Sequence, residues 1–300
     1  MANSALTHEG PIVVGFDASE TSRFALEWAL REGMLRNRPV RVVHSYRGLS
    51  ALPALGYGLA ADPLLAEEMR DHANKVLAEG IAYAKTVAPE VDVTGTVIEG
   101  EPSRVLLEES KHAAHIVLGS RGLGGFRGLL LGSVGVQVSS HAHCPVVVIR
   151  RSIRDLPDDA PVVVGVDGSP ESNTAIGVAF EAASFLGAPL LAVHAWTLPS
   201  IAAPGATAIP EPEDLRDVRD AEIRLAAEAM SGFGEQYPDV KVTQHVIGGS
   251  PERVLVDEAN GARLVVVGSR GRGGFSGLLL GSVSHALLHH SESPVAIVRE

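Results

Sequence analysis

The sequence predicts an α/β protein made of two tandem doubly wound domains, each a five-stranded parallel sheet with helices on both faces. Two observations predict this. The chain repeats itself after about 150 residues, and short apolar runs alternate with longer segments of helical periodicity within each repeat. Such a sheet, flavodoxin-like or Rossmann-like, binds ligands beyond the carboxyl ends of its strands, near the point where strand order reverses.

The repeat is closest in a glycine-rich segment of sixteen residues. It runs from Gly119 to Val134 and returns from Gly268 to Val283 with changes at two positions. The openings of the halves match as well, because Val-Gly-x-Asp-x-Ser ends at Ser19 and again at Ser169. Each half has the length of an ordinary domain. We therefore expect domains at 1–150 and 161–300, joined by a surface linker at 151–160.

The elements of the first half follow from periodicity and from proline and glycine positions. A buried strand over 11–16 leads to a helix that starts near Ser19 or Glu20, where Ser19 and Thr21 are candidate caps. The pattern then predicts a strand over 40–45, a helix over 64–87, a strand over 91–98, a helix over 103–114, a strand over 115–118, a helix that begins at Gly132-Ser133 and a strand over 145–149. The second half repeats each element in order.

Composition limits the classes of protein. With 45% hydrophobic and 20% charged residues and no apolar run long enough to span a bilayer, the chain is typical of a soluble globular protein. A formal charge of −11 argues against a general nucleic-acid binder. The start lacks the pattern of a secretory signal, and the single cysteine, Cys144, suits a reducing compartment. We expect a cytoplasmic protein with no membrane span.

Two segments of each domain should meet at the switch point: the end of the first strand, with Asp17 or Asp167, and the glycine loop after the fourth strand. Gly119 and Gly122 allow a tight turn that exposes backbone amides, and Gly132-Ser133 adds a helix N-terminus with a hydroxyl. These groups favour a phosphate without needing a lysine. The alternative interpretation is a glycine-rich connection that only packs closely against the sheet.

The spacing Gly-x2-Gly-x9-Gly-Ser, present in both halves, resembles the signature of ATP-binding universal stress proteins, and the likeness covers nearly the whole chain. The resemblance implies that the first-strand aspartate and the end of the second strand contact the nucleoside, while the glycine loop and its serine hold the phosphates. Gly15 and Gly165 leave room for the base or ribose. The implied residues are Gly15, Asp17, Val43, Gly119, Arg121, Gly122, Gly132, Ser133 and Val134, and then Gly165, Asp167, Val193, Gly268, Arg270, Gly271, Gly281, Ser282 and Val283.

Several roles stay open at this point. Asp17 and Asp167 either help to hold Mg²⁺ through the phosphates or hydrogen-bond the ribose or their own loop. Arg121 and Arg270 are the candidates for charge compensation during phosphoryl transfer, yet no general base stands out, so we expect slow or absent hydrolysis. ATP would then serve as a stabilising and regulatory ligand in a stress response. The alternatives are a slow Mg-dependent ATP hydrolase or phosphotransferase, and an interaction protein whose sites hold no nucleotide.

Other binding motifs fit less well. A phosphate-binding loop of the Gly-Lys-Ser/Thr type is missing, because none of the four lysines lies in a glycine loop. A dinucleotide fingerprint would follow the first strand, whereas the glycines here follow the fourth. His141, His143 and Cys144 are metal-type ligands, but the second half repeats only the first histidine, as His290. A zinc site is therefore the weaker interpretation.

The last strand of each half is apolar and would be an exposed sheet edge if unpaired. We expect the two copies to pair through these strands as a pseudo-twofold domain pair, as the resemblance also implies. A homodimer and an unknown regulatory protein partner remain open. The copies differ at Leu123 versus Arg272 and at Arg127 versus Ser276, which predicts unequal affinities at the two sites.

Overall fold

A computed structural model describes residues 10–48, 63–122, 131–153, 156–157, 159–197, 212–272 and 279–299. The chain divides into two compact units on either side of the join between Ser152 and Ile153. The changed positions Leu123, Arg127 and Ser276 lie outside the described residues. In the described part of the chain, no helix is both long and apolar enough to cross a membrane.

The first unit alternates strands and helices along the chain. Its elements are β1 (Ile12–Gly15), α1 (Glu20–Arg36), β2 (Val40–Tyr46), α2 (Pro63–Val87), β3 (Val93–Glu99), α3 (Pro102–Glu109), β4 (His115–Gly119), α4 (Ser133–His141) and β5 (Val146–Ile149). The order agrees with the sequence pattern. One helix is shorter than predicted, because α3 ends at Glu109 rather than continuing to residue 114. There the Ser110 hydroxyl donates to the Leu107 carbonyl at 2.7 Å and competes with further helical bonds.

The second unit repeats this order with one addition. Its elements are β6 (Val162–Gly165), α5 (Pro170–Leu186), β7 (Leu190–Trp196), α6 (Pro212–Met230), α7 (Phe233–Gln236), β8 (Val242–Gly248), α8 (Pro251–Glu258), β9 (Leu264–Gly268), α9 (Ser282–His290) and β10 (Val295–Val298). The short helix α7 was not predicted. It follows Gly232, whose φ of 91° breaks the preceding helix in a conformation that glycine adopts without strain.

Each unit builds a five-stranded parallel sheet. The strand order is β3-β2-β1-β4-β5 in the first unit and β8-β7-β6-β9-β10 in the second. In the first unit α1 packs on α2 and α3 packs on α4. Right-handed crossovers place these pairs on opposite faces, because the chain winds outward from β1 to β3 and then returns to β4. The predicted doubly wound fold is confirmed, and its switch point lies between β1 and β4.

The first helix shows how local sequence fixes the element that borders this switch point. Ser19 is its N-cap, with the side-chain oxygen accepting a hydrogen bond from the Ser22 amide at 3.3 Å. Glu20 places a negative charge in the first turn, where the helix dipole favours it. The helix ends at Asn37, which adopts the left-handed conformation with φ of 49°. Ser19 thus functions as the predicted cap, whereas Thr21 contacts the loop after β4.

We expect Ser19→Ala to destabilise the first unit by about 1 kcal/mol, because the variant loses the cap of α1. The Ser19 hydroxyl also donates to the Arg121 carbonyl at 3.2 Å, so the same change loosens the loop. Chemical denaturation followed by circular dichroism measures the loss. Ser231→Ala is the control, because that exposed hydroxyl bonds only the Glu228 carbonyl near the end of α6. Equal stability of the Ser19→Ala variant and the wild type would contradict this account.

Candidate functional site

The site of the first unit begins where β1 ends. Asp17 follows the buried strand, and its Oδ1 accepts a hydrogen bond from the Ser19 amide at 3.0 Å. Between them Ala18 has a φ of 64°, so the backbone makes a left-handed turn before α1 starts. The second unit places Gly168 in this turn, with a φ of 75°. The turn holds the carboxylate at the carboxyl edge of the sheet.

The first residues of the loop after β4 contact the first turn of α1. A Cβ at Gly119 would lie 2.6 Å from the carbonyl carbon of Thr21, so the close approach of the two backbones requires glycine. The Thr21 hydroxyl donates to the Arg121 carbonyl in the next part of the loop. At the far end, the Gly132 amide donates to the Ser120 carbonyl at 2.8 Å. The two ends of the glycine loop are therefore held together.

Gly122 joins this loop to the aspartate. A Cβ at Gly122 would lie only 2.4 Å from Asp17 Oδ2, closer than real side-chain contacts come. The backbone of Gly122 therefore lies directly against the carboxylate. The two segments that the sequence predicted to meet, the end of the first strand and the glycine loop, do meet in the structure.

A cavity of about 400 Å³ opens at this junction. All nine residues predicted for the first site line this cavity. They are Gly15, Asp17, Val43, Gly119, Arg121, Gly122, Gly132, Ser133 and Val134. Three groups line it with different chemistry: apolar side chains such as Leu106 and Leu118, the Asp17 carboxylate, and the N-terminal turn of α4.

The N-terminus of α4 gives the cavity a positive partial charge. Gly132 is the N-cap and makes no side-chain capping bond, because glycine has none to offer. The first amides of a helix lack partners within the helix, and its dipole places about half a positive charge there. Ser133 adds an exposed hydroxyl in the same turn. This end of the cavity suits an anion.

Sequence reasoning missed several residues of this cavity, among them Ser120, Arg47 and Glu101. The Ser120 hydroxyl is buried, with 1% of the residue exposed, and has no hydrogen-bond partner among the described residues. Arg47 and Glu101 form an exposed ion pair of 2.7 Å at the rim. The signal for Ser120 was available, since Gly-Ser-Arg-Gly occurs in both copies. No local pattern pairs Arg47 with Glu101, because they follow different strands.

The second unit assembles equivalent residues around Asp167. Its Oδ1 accepts from the Ser169 amide at 2.9 Å, and its Oδ2 accepts from the Arg272 amide at 3.0 Å. A Cβ at Gly271 would lie 2.3 Å from Oδ2. The Gly281 amide donates to the Ser269 carbonyl at 2.7 Å and closes the loop as in the first unit. The junction between first strand and glycine loop is therefore conserved in geometry between the two copies.

The second strands also match, although each continues past the Val-His pair where the sequence predicted its end, to Tyr46 and to Trp196. The Val43 carbonyl accepts from the Phe16 amide at 2.9 Å, and the Val193 carbonyl accepts from the Val166 amide at the same distance. The next residue is a histidine in both copies. His194 Nδ1 lies 2.6 Å from the Val166 carbonyl oxygen, and its Nε2 lies 2.7 Å from Glu222 Oε2.

The remaining predicted residues of the second unit contact different side chains from their equivalents in the first unit. Gly165 packs against Leu255 and Val267, and Gly268 lies against Glu171. The Arg270 guanidinium lies 3.6 Å from the Glu171 carboxylate. Ser282 begins α9, and Val283 follows it in the first turn. In this unit the Arg270 guanidinium therefore lies beside a carboxylate.

The described residues give little support to a resident metal. Among them, no three His, Cys, Asp or Glu side chains converge as a metal-binding group. His141, His143 and Cys144 therefore belong to no such group within the described ranges. Burial raises the pKa of the Cys144 thiol to about 12, so the thiolate that a metal would bind is disfavoured. Asp17 and Asp167 could take part in a cation site only together with oxygen ligands from a bound molecule.

Comparison with known proteins gives a consistent result over both units. The family model described as "Universal stress protein family" matches residues 10–150 and 160–299. Two universal stress proteins of Mycobacterium tuberculosis are 37% and 38% identical to this chain, each covering 96% of it, with 94% and 97% of their own lengths matched. A universal stress protein structure from Archaeoglobus fulgidus has a TM-score of 0.66 at 22% identity, covering 96% of this chain and 98% of that one, and shows the same fold.

Proposed function

Because the chain belongs to the universal stress protein family and carries two tandem domains of it, we propose that it is a regulatory protein that binds adenine nucleotides, with ATP as the ligand of the first unit. One observation carries the proposal. The nine residues predicted for the first site line a single cavity of about 400 Å³, a volume in the range of small-molecule sites.

The phosphate end is supported by fixed positive partial charge. The uncapped N-terminus of α4, the Ser133 hydroxyl and the amides around Gly122 surround one end of the cavity. The buried Ser120 hydroxyl lines the same cavity without a partner among the described residues. A buried hydroxyl is costly unless it is hydrogen-bonded, and a phosphate oxygen would satisfy it. Arg121, exposed at the mouth, supplies the formal positive charge.

The nucleoside end is supported by apolar lining beside a few polar groups. Leu106, Leu118 and Phe16 offer surface for a base, while a Cβ at Gly15 would lie 2.6 Å from Leu118 and close this space. Val43 and His44, in the middle of β2, also line the cavity. The Asp17 carboxylate also lines the cavity, where it could accept hydrogen bonds from ribose hydroxyls.

Mg²⁺ fits this site only when phosphate oxygens of the nucleotide also coordinate it. Asp17 is one carboxylate, and one of its oxygens already accepts the Ser19 amide. A magnesium ion prefers six oxygen ligands and keeps several waters, so phosphate oxygens and water would complete its shell. We expect ATP binding to strengthen in the presence of Mg²⁺ and to persist after chelation.

Slow or absent hydrolysis accompanies this proposal. Phosphoryl transfer needs a positioned nucleophile and compensation of developing charge. Arg121 provides a cation at the mouth of the cavity, and Asp17 is engaged with the turn before α1. Occupancy by nucleotide would then act through stability, by about 2.7 kcal/mol when the ligand is a hundredfold above its dissociation constant. This coupling suits a response to cellular energy state in the cytoplasm.

The nucleotide content of the purified chain tests the proposal. Denaturation releases the bound ligand, and chromatography identifies it; calorimetric titration of the emptied chain with ATP then gives the affinity. We expect ATP to be recovered or taken up with micromolar or tighter affinity. Recovery of ADP with turnover in added Mg²⁺ would instead support a hydrolase. Absence of any nucleotide, with no uptake of added ATP, would show that the proposal is wrong.

A further inference from the structure

The last helix of the second unit carries a pair of histidines that its counterpart in the first unit lacks. His285 and His289 are four residues apart in α9, and the centroids of their imidazole rings lie 4.3 Å apart. In α4 the equivalent positions hold Val136 and Ser140. The fold of the repeat therefore requires neither histidine.

The pair lies on one face of α9, because residues four apart in a helix stand one turn above the other. His285 is exposed and His289 is half-buried, so solvent reaches this face. Each imidazole has two ring nitrogens, and a hydrogen bond at one of them leaves the other for a metal ion. Neutral imidazole is the commonest metal ligand in proteins. The helix thus offers two nitrogen ligands from one rigid element.

The separation of the two rings suits a single shared ion. Two imidazoles that bind one ion at about 2.1 Å have ring centres roughly 4.5 Å apart when the two bonds are at right angles. The observed 4.3 Å is close to this separation, so side-chain rotations alone can turn one nitrogen of each ring to the same ion. Right-angled positions occur in the square and tetragonal complexes that Cu²⁺ and Ni²⁺ form with nitrogen and oxygen ligands.

The end of the helix adds a favourable charge. His289 lies in the last turn of α9, which ends at Ser291. The last carbonyls of a helix carry about half a negative charge, which stabilises a cation nearby. The formal charge of −11 on the whole chain also favours the approach of cations.

Only two protein ligands converge at this place. Among the described residues no three His, Cys, Asp or Glu side chains form a metal-binding group. The ring of His290 is centred 6.4 Å from that of His289, at the next position around the helix. Zinc sites in proteins are usually built from three or four protein ligands. A site with two imidazoles leaves its other positions to water, so its ion exchanges with the solvent.

From these observations we propose that His285 and His289 form an exchangeable binding site for a divalent transition-metal ion of the Ni²⁺ or Cu²⁺ type, completed by water. The ion connects two successive turns of α9, the helix that follows the second glycine loop. Bound metal therefore stabilises the folded second unit, because a ligand of the folded chain alone adds stability by mass action. The residues of α9 are not part of the first cavity, so the site is independent of the nucleotide proposal.

Equilibrium dialysis of the untagged, full-length chain against Ni²⁺ tests the proposal. With enough free imidazole to compete at single histidines, we expect about one Ni²⁺ per chain. His285→Val and His289→Ser each introduce the residue of α4 at that position. Each should weaken binding at least about tenfold, because one imidazole alone lacks the effective concentration that the second supplies. The double variant should bind no Ni²⁺ under these conditions.

His290→Gln is the matched control, since it removes a neighbouring histidine of the same helix and keeps the pair. It should bind Ni²⁺ as the wild type does. Ni²⁺ should raise the thermal midpoint of the wild type and of His290→Gln, and leave that of the double variant unchanged. Without metal, the double variant should keep the circular dichroism spectrum of the wild type.

Electron paramagnetic resonance of bound Cu²⁺ counts the ligands directly. We expect hyperfine coupling to two imidazole nitrogens in the wild type and to one in each single variant. Because the wild-type spectrum needs no variant, it decides the question even if a substitution impairs folding. A one-nitrogen spectrum of the wild type, Ni²⁺ binding by the double variant, or loss of Ni²⁺ from His290→Gln would overturn the proposal.

Discussion

Replacing Gly122 with alanine is expected to remove ATP from the first unit, with an affinity loss of at least about tenfold, or 1.4 kcal/mol. The reason is geometric. The new Cβ would lie 2.4 Å from Asp17 Oδ2, and Asp17 cannot simply swing away because its Oδ1 accepts the Ser19 amide. The carboxylate and the glycine loop would separate, and the cavity between them would change shape. Calorimetric titration of the variant with ATP measures the loss.

Controls separate this effect from unfolding. Gly122 is exposed, so we expect the free energy of unfolding to change by no more than about 1 kcal/mol. Gly234→Ala is the matched control, since a Cβ there meets no atom within 4 Å. Gly271→Ala produces the same clash with Asp167 in the second unit and should spare the first site. Wild-type ATP affinity in Gly122→Ala would refute the role given to this junction.

Acidification is expected to destabilise the first unit through His115, by about 4 kcal/mol between pH 7 and pH 3. Burial, together with the nearby Arg36 and Arg38, lowers the pKa of His115 to about 3. The unfolded chain binds a proton at this residue below its ordinary pKa of 6.5, while the folded unit does so only near pH 3. Unfolding therefore takes up a proton across this window, and stability falls as the pH falls.

A comparison with the second unit suggests a variant that tests the role of His115 in acid sensitivity. Leu264 stands at the start of β9 where His115 starts β4, so His115→Leu copies a residue that the fold already accepts. The variant should lose most of the acid sensitivity. Trp28 packs against His115 at 5.8 Å between ring centroids, and its fluorescence in a Trp196→Phe background reports on the first unit alone. His72→Gln, at an exposed histidine of α2, should leave the pH profile as in the wild type. Equal acid sensitivity of His115→Leu and the wild type would contradict the assignment.

The repeat predicted most of the fold because its signals are local. Apolar runs, the Ser19 cap and the prolines that open α3 and α8 act within a few residues, so each copy specifies its elements independently. The end of α3 was not predicted, because it depends on the Ser110 side chain competing for a backbone carbonyl. The short helix α7 was not predicted, because it depends on the break in the helix at Gly232.

Part of the cavity lining could also be predicted from the sequence. Nine of its residues were singled out because glycines that weaken strands and helices have no reason to recur unless the backbone is needed at close range. Ser120 was missed although the motif repeats it, because a serine has no evident role beside the glycines. Arg47 and Glu101 were missed because charges that follow two different strands have no distinctive spacing. Their place in the cavity depends on β1, β2 and β4 lying side by side.

The sequence by itself determined that the chain has two doubly wound units, each with a glycine loop after its fourth strand and an aspartate after its first. Only the tertiary structure decided what surrounds those loops. Arg47 meets Glu101 in the first unit, and Glu222 meets His194 in the second, across elements that are far apart in the chain. The physical reason is range: periodicity and capping act between neighbours in sequence, whereas charge and hydrogen bonding act between neighbours in space.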